Sequence, residues 1–283
     1  MPIDLHTHST ASDGTQPPAE LVADAARAGL TTVALTDHDT TAGWGEAEDA
    51  AVRLGVHLVR GIEVSCSHRG ISIHLLGYLV DPGHEGLAAE LVHARESRVT
   101  RLERMVERMA ADGIPVTMED VRAQVTPGAT LGRPHIADAL VARGVVPSRD
   151  EAFTRYLHNS SRYYVSHYAP DPVRAVELVR AAGGVAVMAH PFAGRRGRVV
   201  DDAVIRRMAG AGLAGLEVYH RDHDEAERDH GRRLAAELDL LVTGSSDYHG
   251  TGKLNRLGEN TTAPDVLEAI EAQATSGVEV VRG

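Results

Sequence analysis

Six histidines and three acidic residues lie after or close beside short apolar segments spread over almost the whole chain. They are His6, His8, Asp13, His38, Glu63, His74, His190, Asp247 and His249. Imidazole and carboxylate groups without a thiolate are a donor set suited to a hydrolytic metal centre. Each residue alone also has an ordinary structural explanation, such as a turn aspartate at Asp13. Their shared placement at the ends of apolar runs favours one common site.

His6 and His8 are two residues apart, directly after the apolar run at residues 3–5. On an extended strand, residues two apart point to the same side, so one segment can give a metal two imidazole ligands. A His-x-His pair also occurs by chance, and the pair gains weight only beside the other seven residues.

The apolar runs predict strands at residues 3–5, 32–36, 58–62, 71–80, 185–189, 216–219 and 240–243, and a short apolar run follows at 278–281. Helical patterns lie between most of them, at residues 17–29, 44–55, 171–182, 201–211, 224–238 and 264–274. Strands that alternate with helices predict βαβ crossovers and a parallel sheet. In a parallel barrel the carboxyl ends of the strands meet at one face, which would gather the nine residues.

The alternation stops between residues 86 and 165. Residues 87–111 show the spacing of a long amphipathic helix with Arg and Glu on its polar positions, and shorter helical patterns follow at 118–125, 135–142 and 149–157. We predict a discontinuous barrel domain of residues 1–85 and 166–283, with a helical insertion, residues 86–165, that caps the active site. Two enlarged barrel helices are the alternative.

The composition excludes several classes of protein. A formal charge of −11 over 283 residues argues against a broad basic groove for long nucleic acid, since such binding depends on many phosphate contacts. It leaves room for a small phosphorylated substrate, because bound metal ions supply their own positive charge. One cysteine rules out a disulfide framework. The start of the chain lacks an apolar signal stretch and no apolar run approaches a membrane span, so we expect a cytoplasmic monomer or small homo-oligomer.

Six motifs together resemble the signature of the PHP (polymerase and histidinol phosphatase) superfamily. They are His6-Thr7-His8 with Asp13, Thr36-Asp37-His38-Asp39, Gly61-Ile62-Glu63, His74, Ala189-His190-Pro191 and Ser246-Asp247-Tyr248-His249. The resemblance extends from residue 2 to about residue 260, interrupted by the helical region. Within the superfamily, the motif order, the length and the insertion that carries His135 are similar to bacterial phosphoesterases of the nucleoside 3′,5′-bisphosphate phosphatase (RNase AM-like) type.

The resemblance implies an α/β fold, a distorted (β/α)7 barrel, with two or three divalent ions of manganese, iron or zinc. One metal would take His6, His8, Glu63 and Asp247, a second Glu63, His74 and His190, and a third Asp13, His38 and His249. All nine positions are filled, which favours an active enzyme over a non-catalytic PHP regulatory module. Two cations that share a bridging water can lower its pKa and supply hydroxide as the nucleophile.

Further residues are candidates for catalysis and substrate binding. With Glu63, His190 and Asp247, we assign His135 to catalysis, as a donor to phosphate or to the leaving oxygen. Arg133, in the segment Gly132-Arg133-Pro134-His135, would grip phosphate oxygens. Arg195, Arg196 and Arg198 follow His190, and we expect one to reach a second phosphate, with Arg195 and Arg198 named as binding candidates. His220 is a further substrate candidate, whereas His223 and His230 are assigned to a solvated helix face.

These observations predict a metal-dependent phosphoric ester hydrolase that acts on a small phosphorylated metabolite. The first candidate is the 3′-phosphate of a nucleoside 3′,5′-bisphosphate, with short oligonucleotides as a related substrate. A cyclic sugar phosphate or histidinol phosphate is the rival substrate. A metal-dependent amidohydrolase could use a similar histidine-rich barrel, but the arginine-rich segments favour phosphate.

Overall fold

Seven strands form one sheet within residues 2–283, the part of the chain that the computed structural model describes. The strand order in the sheet follows the chain. The strands are β1 Ile3–Asp4, β2 Thr32–Leu35, β3 His57–His68, β4 Ile71–Tyr78, β5 Val185–Met188, β6 Gly215–Tyr219 and β7 Leu241–Gly244. All seven predicted strands are confirmed. The run at 278–281 contributes a single antiparallel bridge, between Val281 and Leu58.

The prediction of an entirely parallel sheet is wrong at β4, which runs antiparallel to both β3 and β5. The reason is the two-residue turn between β3 and β4. Arg69 and Gly70 have φ values of 49° and 76°, and a turn with two positive φ angles matches the twist of a β-hairpin. An apolar run followed after two residues by another is therefore a hairpin here and not a crossover.

The hairpin changes how two of the nine candidate residues are positioned. Glu63 and His74 lie inside β3 and β4, not at strand ends as predicted. His74 is paired with Ser65, and Ser65 shares a sheet face with Glu63 two residues away. Since paired residues of an antiparallel ladder point to the same face, the register brings Glu63 and His74 together.

The sheet curls into a nearly closed barrel. A parallel bridge joins Thr7, just beyond β1, to Tyr248, just beyond β7. The backbone N–H of His8 donates to the carbonyl of Tyr248 at 2.8 Å. The buried Asp4 carboxylate accepts the N–H groups of Ser246 and Gly258 at 3.0 and 2.9 Å. The barrel thus closes at the end where the candidate residues gather, and the predicted PHP-type α/β barrel is confirmed.

Ten α-helices occur in residues 2–283. They are α1 Pro18–Arg27, α2 Trp44–Leu54, α3 Glu85–Ala111, α4 Met118–Arg122, α5 Arg133–Ala142, α6 Arg149–Ala152, α7 Pro172–Ala181, α8 Asp202–Ala211, α9 Glu225–Glu237 and α10 Pro264–Gln273. A π-helical turn, Phe153–Leu157, continues α6. None of these helices is both long and apolar enough to cross a membrane.

The two faces of the sheet belong to different apolar clusters. In β2, Val33 and Leu35 pack with the helices outside the barrel, whereas Ala34 packs with Leu5 and Val59. Because alternate strand residues point to opposite faces, the second cluster fills the barrel interior. Side chains of α10 join that interior cluster at the end away from the candidate site. The barrel is a packed support for the residues at its rim.

Helix α3 belongs to two cores. Its first part, with Leu87 and Leu91, packs in the cluster outside the barrel. Its last part packs in a separate cluster with α4, α5 and the π-helical turn, formed by residues that include Leu102, Met105, Met109, Val121, Ile136, Leu140 and Leu157. Division of the chain into a barrel and an insertion at residues 86–165 stays a prediction, and the separate core is consistent with it.

Candidate metal centre

One oxygen of the buried Glu63 carboxylate faces three imidazoles. Its Oε2 lies 3.2 Å from Nε2 of His6, 3.0 Å from Nε2 of His8 and 3.1 Å from Nδ1 of His38. The Nε2 atoms of His6 and His8 are 3.0 Å apart, and Oδ1 of Asp247 lies 3.5 Å from each. The predicted ligand set of the first metal, His6 with His8, Glu63 and Asp247, is therefore gathered around one point.

The other oxygen of Glu63 faces two further imidazoles. Its Oε1 lies 2.7 Å from Nδ1 of His74 and 3.4 Å from Nε2 of His190. His38 also reaches this side, and the donor atoms of His38, Glu63 and His74 form a compact group. The three ligands predicted for a second metal thus lie together, with His38 as a neighbour that the prediction placed elsewhere. Glu63 therefore offers Oε2 to the first group and Oε1 to the second, and could hold a cation on each side.

A third group lies on the far side of His8. Nε2 of His249 is 3.2 Å from Oδ1 of Asp13, and Nε2 of His38 is 3.8 Å from Oδ2 of the same carboxylate. Nδ1 of His249 lies 2.8 Å from the carbonyl of Asp247, which leaves its Nε2 free for a metal. Asp13, His38 and His249, predicted as one ligand set, are brought together, and His8 joins them.

Buried polar atoms at this centre lack partners. Within residues 2–283, the buried side-chain atoms without a hydrogen-bond partner include Asp13 Oδ1, His38 Nδ1, Glu63 Oε2, His190 Nε2 and His249 Nε2. Each unsatisfied buried group costs roughly 1–3 kcal/mol, a cost that a bound cation would remove. The nitrogen and oxygen donors fit divalent transition metals. The three overlapping groups suggest more than one metal ion.

The candidate ligands differ in protonation. Burial lowers the pKa of His6 and of His8, but nearby carboxylates, Glu63 and Asp247 among them, raise it more. The net pKa of His6 is well above its usual range and that of His8 is about 9, so a bound cation would displace a proton from each. Burial, helped by Arg196, lowers the pKa of His190 to about 3, so its imidazole is neutral at physiological pH. Burial also raises the pKa of Glu63, but the surrounding His38, His74 and His6 lower it further, and the net pKa is well below its usual range. Neutral imidazoles and an ionised carboxylate are the forms that bind metals.

Sequence reasoning missed Glu217, a buried carboxylate inside β6. Its Oε1 lies 3.0 Å from Nδ1 of His6, and its Oε2 accepts the backbone N–H of His190 at 2.8 Å. Burial raises the pKa of Glu217, but His6 lowers it more, to about 2, so the group is ionised. A carboxylate that accepts the Nδ1–H of His6 directs Nε2 toward the metal position. The sequence feature that could have identified Glu217 is its position as an acidic residue inside an apolar strand.

The loop after His190 places Arg196 at the site, whereas the prediction named Arg195 and Arg198 as the binding candidates. Nη2 of Arg196 lies 2.7 Å from Oδ2 of Asp247, and Nζ of Lys253 lies 3.1 Å from the same oxygen. Arg195 and Arg198 are exposed, and neither contacts the nine candidate ligands among residues 2–283. The structure therefore places Arg196 and Lys253 beside the predicted catalytic Asp247.

His220 lies at the centre, as expected from its place after β6. It is buried, and its Nε2 is 3.7 Å from Oδ2 of Asp247. Its Nδ1 accepts the backbone N–H of Asp222 at 3.0 Å, which leaves the proton of the neutral ring on Nε2. His230 is on the surface, as expected, but the same expectation for His223 is wrong, because His223 is buried between Val218 and Phe192.

The helical segment contributes Arg133 and His135. Nη1 of Arg133 donates to the carbonyl of Leu157 at 2.6 Å and to Asn159 at 2.7 Å. His135 is buried, and its Nδ1 accepts the N–H of Gly132 at 3.0 Å, so its Nε2 carries the proton of the neutral ring. Burial lowers the pKa of His135, and the nearby carboxylates of Asp13 and Asp138 oppose this effect. His135 therefore lies near Asp13 of the predicted metal centre, whereas the contacts of Arg133 are within the helical segment.

Known proteins resemble this chain over nearly its full length. The family described as PHP domain matches residues 4–109. A 3′,5′-nucleoside bisphosphate phosphatase of Chromobacterium violaceum is 34% identical over 95% of this chain and 94% of its own length. A 5′-3′ exoribonuclease of Haemophilus influenzae is 35% identical over 93% of this chain and 95% of its own length.

A solved structure shows the same fold. The crystal structure of a Bifidobacterium adolescentis protein superposes with a TM-score of 0.94 at 42% identity and covers 97% of this chain and 98% of that protein. The TM-score and the coverage show that the two chains share one fold. With the full-length relatives, they show that the chain belongs to the PHP-domain family of metal-dependent phosphoesterases, hydrolases of phosphoric esters.

Proposed function

We propose that this phosphoesterase removes the 3′-phosphate of nucleoside 3′,5′-bisphosphates. The observation that carries the proposal is the presence of positive side chains on two sides of the centre. Arg196 and Lys253 meet at Asp247, and a second group of arginines, Arg98, Arg101 and Arg133, lies in the helical segment. This group is near His167 and His74, and Arg98 donates to Ser65, the residue paired with His74. A substrate with two phosphates matches two cationic positions better than a monoester does.

The reaction breaks the bond between phosphorus and the 3′ oxygen. Water attacks phosphorus, the 3′ oxygen takes up a proton, and the products are a nucleoside 5′-phosphate and inorganic phosphate. Metal ions held by the nine candidate ligands would neutralise charge on the phosphate and activate the water. In this assignment Glu63, His190 and Asp247 are the predicted catalytic ligands, and Glu217 keeps His6 in position.

Other side chains act on the phosphate and on the leaving oxygen. Arg196 and Lys253 now contact Asp247, and both can turn to a phosphoryl oxygen that binds beside it. His220 presents Nε2–H at the same place and can donate a hydrogen bond to the phosphate. His135 presents Nε2–H from the helical side, where it can donate to the 3′ oxygen as that oxygen leaves.

Short 5′-phosphorylated RNA is a second candidate substrate, because the chain is 35% identical to a 5′-3′ exoribonuclease over nearly its full length. Cleavage after the first nucleotide breaks the same kind of bond at a 3′ oxygen. A net charge of −11 favours short oligonucleotides over long ones, since an acidic protein surface repels an extended polyanion.

An assay of released inorganic phosphate and of released nucleoside 5′-phosphate over a defined panel tests this function. The panel contains adenosine 3′,5′-bisphosphate, adenosine 3′-phosphate, a 5′-phosphorylated short RNA, a ribose cyclic phosphate and histidinol phosphate. We expect the highest kcat/KM with the bisphosphate and adenosine 5′-phosphate as the nucleoside product. A higher kcat/KM with the cyclic phosphate or with histidinol phosphate would contradict the proposal.

A further inference from the structure

The loop that carries Asp13 is held from the barrel side by the carboxylate of Asp37. The backbone N–H of Ser9 donates to this carboxylate at 2.8 Å, and the hydroxyl groups of Ser9 and Ser12 donate to it at 2.6 and 2.5 Å. Asp37 and both serines are buried. These bonds hold residues 9–12, and Asp13 lies one residue beyond the last of them.

A second set of contacts reaches the same loop from the helical segment. Arg149, the first residue of α6, donates through Nε and Nη2 to both carboxylate oxygens of Asp138 on α5, at 2.5 and 2.6 Å. Its Nη1 donates to the backbone carbonyl of Asp13 at 3.4 Å. The backbone N–H of Thr130 donates to the carbonyl of Ala11 at 2.9 Å. The helical segment is therefore hydrogen-bonded to the loop of a predicted metal ligand at two positions.

The loop after His249 packs against the same guanidinium. A β-carbon at Gly252 would overlap Nη1 of Arg149, so a side chain at this position would displace the guanidinium. The backbone N–H and the hydroxyl of Thr15 both donate to the carbonyl of His249, at 3.1 and 3.2 Å. Arg149 therefore lies where the loops of Asp13 and His249 meet, and these two loops supply two of the three predicted ligands of the third metal.

The pairing with Asp138 gives Arg149 a fixed geometry. A guanidinium that donates to both oxygens of one carboxylate is held in one plane, and its remaining nitrogen then has one direction. That nitrogen faces the carbonyl of Asp13, whose own carboxylate lies 3.2 Å from Nε2 of His249. Within residues 2–283, Arg149 donates only to Asp138 and Asp13. It has no hydrogen bond to the groups around Glu63.

We propose that Arg149, held by Asp138, positions Asp13 for the third metal, so that the helical segment sets the affinity of the protein for that ion. Residues that orient a metal ligand from outside the ligand set change metal affinity about 10- to 100-fold when they are replaced. Arg149 is a positioning residue, because a permanently charged guanidinium has no electron pair to give to a cation. Its role concerns metal binding and holds whichever phosphate ester is the substrate.

Titration of the metal-stripped, full-length protein with Mn²⁺ measures this role. Equilibrium dialysis and elemental analysis give the number of ions per chain and their stepwise affinities. Arg149→Gln should weaken one ion about tenfold or more and leave the others within about twofold of the wild type. Asp138→Asn, which frees the guanidinium, should weaken the same ion. Arg143→Gln, which breaks an exposed pair with Asp120 in the same segment, is the control and should change none.

Substitution of the ligand itself identifies which ion depends on Arg149. Asp13→Asn should weaken the third ion most, because it removes one of its predicted ligands. When Arg149→Gln is added to Asp13→Asn, we expect no further loss of affinity at any ion, since both changes act on the same ion. A further loss in the double variant would overturn the role of Arg149. Unchanged affinities in Arg149→Gln would also overturn it, as would an equal loss at every ion.

The coupling should also act in the opposite direction. If contacts from the helical segment raise the affinity for the third ion, that ion must stabilise those contacts by the same free energy. Amide hydrogen exchange in α5 and α6 should slow when Mn²⁺ binds to the wild type, and it should slow less in Arg149→Gln. No substrate is present, so the result does not depend on whether the protein hydrolyses a 3′-phosphate. Equal slowing in the two proteins would overturn the coupling.

Discussion

Nδ1 of His6 lies 3.0 Å from Oε1 of Glu217, and both side chains are fully buried. This contact sets the tautomer of His6 and orients its Nε2 toward the predicted first metal. We therefore expect Glu217→Gln to weaken metal binding about 10- to 100-fold, the range seen when such orienting carboxylates are changed. Competition with a chelator of known affinity measures the effect. Glu237→Gln, an exposed residue, is the control, and equal metal affinity in Glu217→Gln and the wild type would refute this role.

Of the neighbours Arg195 and Arg196, only Arg196 contacts Asp247 within the described chain. We expect Arg196→Gln to reduce kcat/KM at least tenfold more than Arg195→Gln does, since a charged hydrogen bond contributes roughly 1.5–3 kcal/mol. Phosphate release under identical metal loading measures both. Equal losses in the two variants would favour the binding role predicted from sequence for Arg195.

Arg101 is a buried cation, 5% exposed, whose Nε has no hydrogen-bond partner within residues 2–283. A buried charge replaced by an apolar side chain of similar volume often leaves a protein equally stable or makes it more stable by about 1–4 kcal/mol. We expect Arg101→Leu to unfold at the same or a higher denaturant midpoint than the wild type. Chemical unfolding followed by circular dichroism provides the measurement. A clear loss of stability would show that Arg101 has a structural role.

The buried His223 should make the free energy of unfolding depend on pH. It is 3% exposed, its Nδ1 lies 2.8 Å from the carbonyl of Val218, and its Nε2 accepts the N–H of Phe192 at 3.2 Å. Both ring nitrogens therefore have a hydrogen-bond partner when the ring is neutral. Burial lowers the pKa of His223 below its usual 6.5. The unfolded chain therefore binds a proton that the folded chain does not, as the pH falls from about 6.5 toward the lowered pKa.

The sign of this effect follows from the protons bound in each state. Stability from the neutral His223 is present above about pH 6.5 and is lost as the pH falls toward the folded pKa, by at most about 1.4 kcal/mol per pH unit. His223→Ala should cost roughly 1–3 kcal/mol at pH 8 and less at pH 5. Unfolding titrations at both values measure the difference. A cost that is equal or larger at pH 5 would contradict the assigned protonation state.

Much of the site could be predicted because strand ends converge. His6, His8, His38, His190 and the two residues after β7, Asp247 and His249, follow their strands directly, and a barrel must bring such positions to one rim. Glu63 and His74 were predicted because each follows a short apolar run, although the antiparallel hairpin that pairs them was not predicted. The turn at Arg69 and Gly70 decides that pairing, and a two-residue connection was the signal for it.

The rest depends on tertiary contacts that no local pattern encodes. Arg98 and Arg101 occupy polar positions of an amphipathic helix, where a sequence pattern predicts solvent. Both are buried, Arg98 against Asp39 and Ser65 of the barrel and Arg101 against the ring of Tyr164. Glu217 was hidden in an apolar strand, and the choice of Arg196 over its neighbours depends on the loop conformation. The positions of these four side chains are determined by tertiary packing, which the periodicity of the sequence does not show.

The metal content of the purified protein tests the central claim, that the histidine and carboxylate groups around Glu63 hold a multinuclear metal centre. Elemental analysis should find about two to three transition-metal ions per chain, the number that overlapping ligand groups of a multi-metal hydrolase support. Removal of the metals should abolish phosphate release, and Asp247→Ala or His190→Ala should slow it about a hundredfold or more. Metal-free protein that hydrolyses its substrate at the undiminished rate would contradict the account.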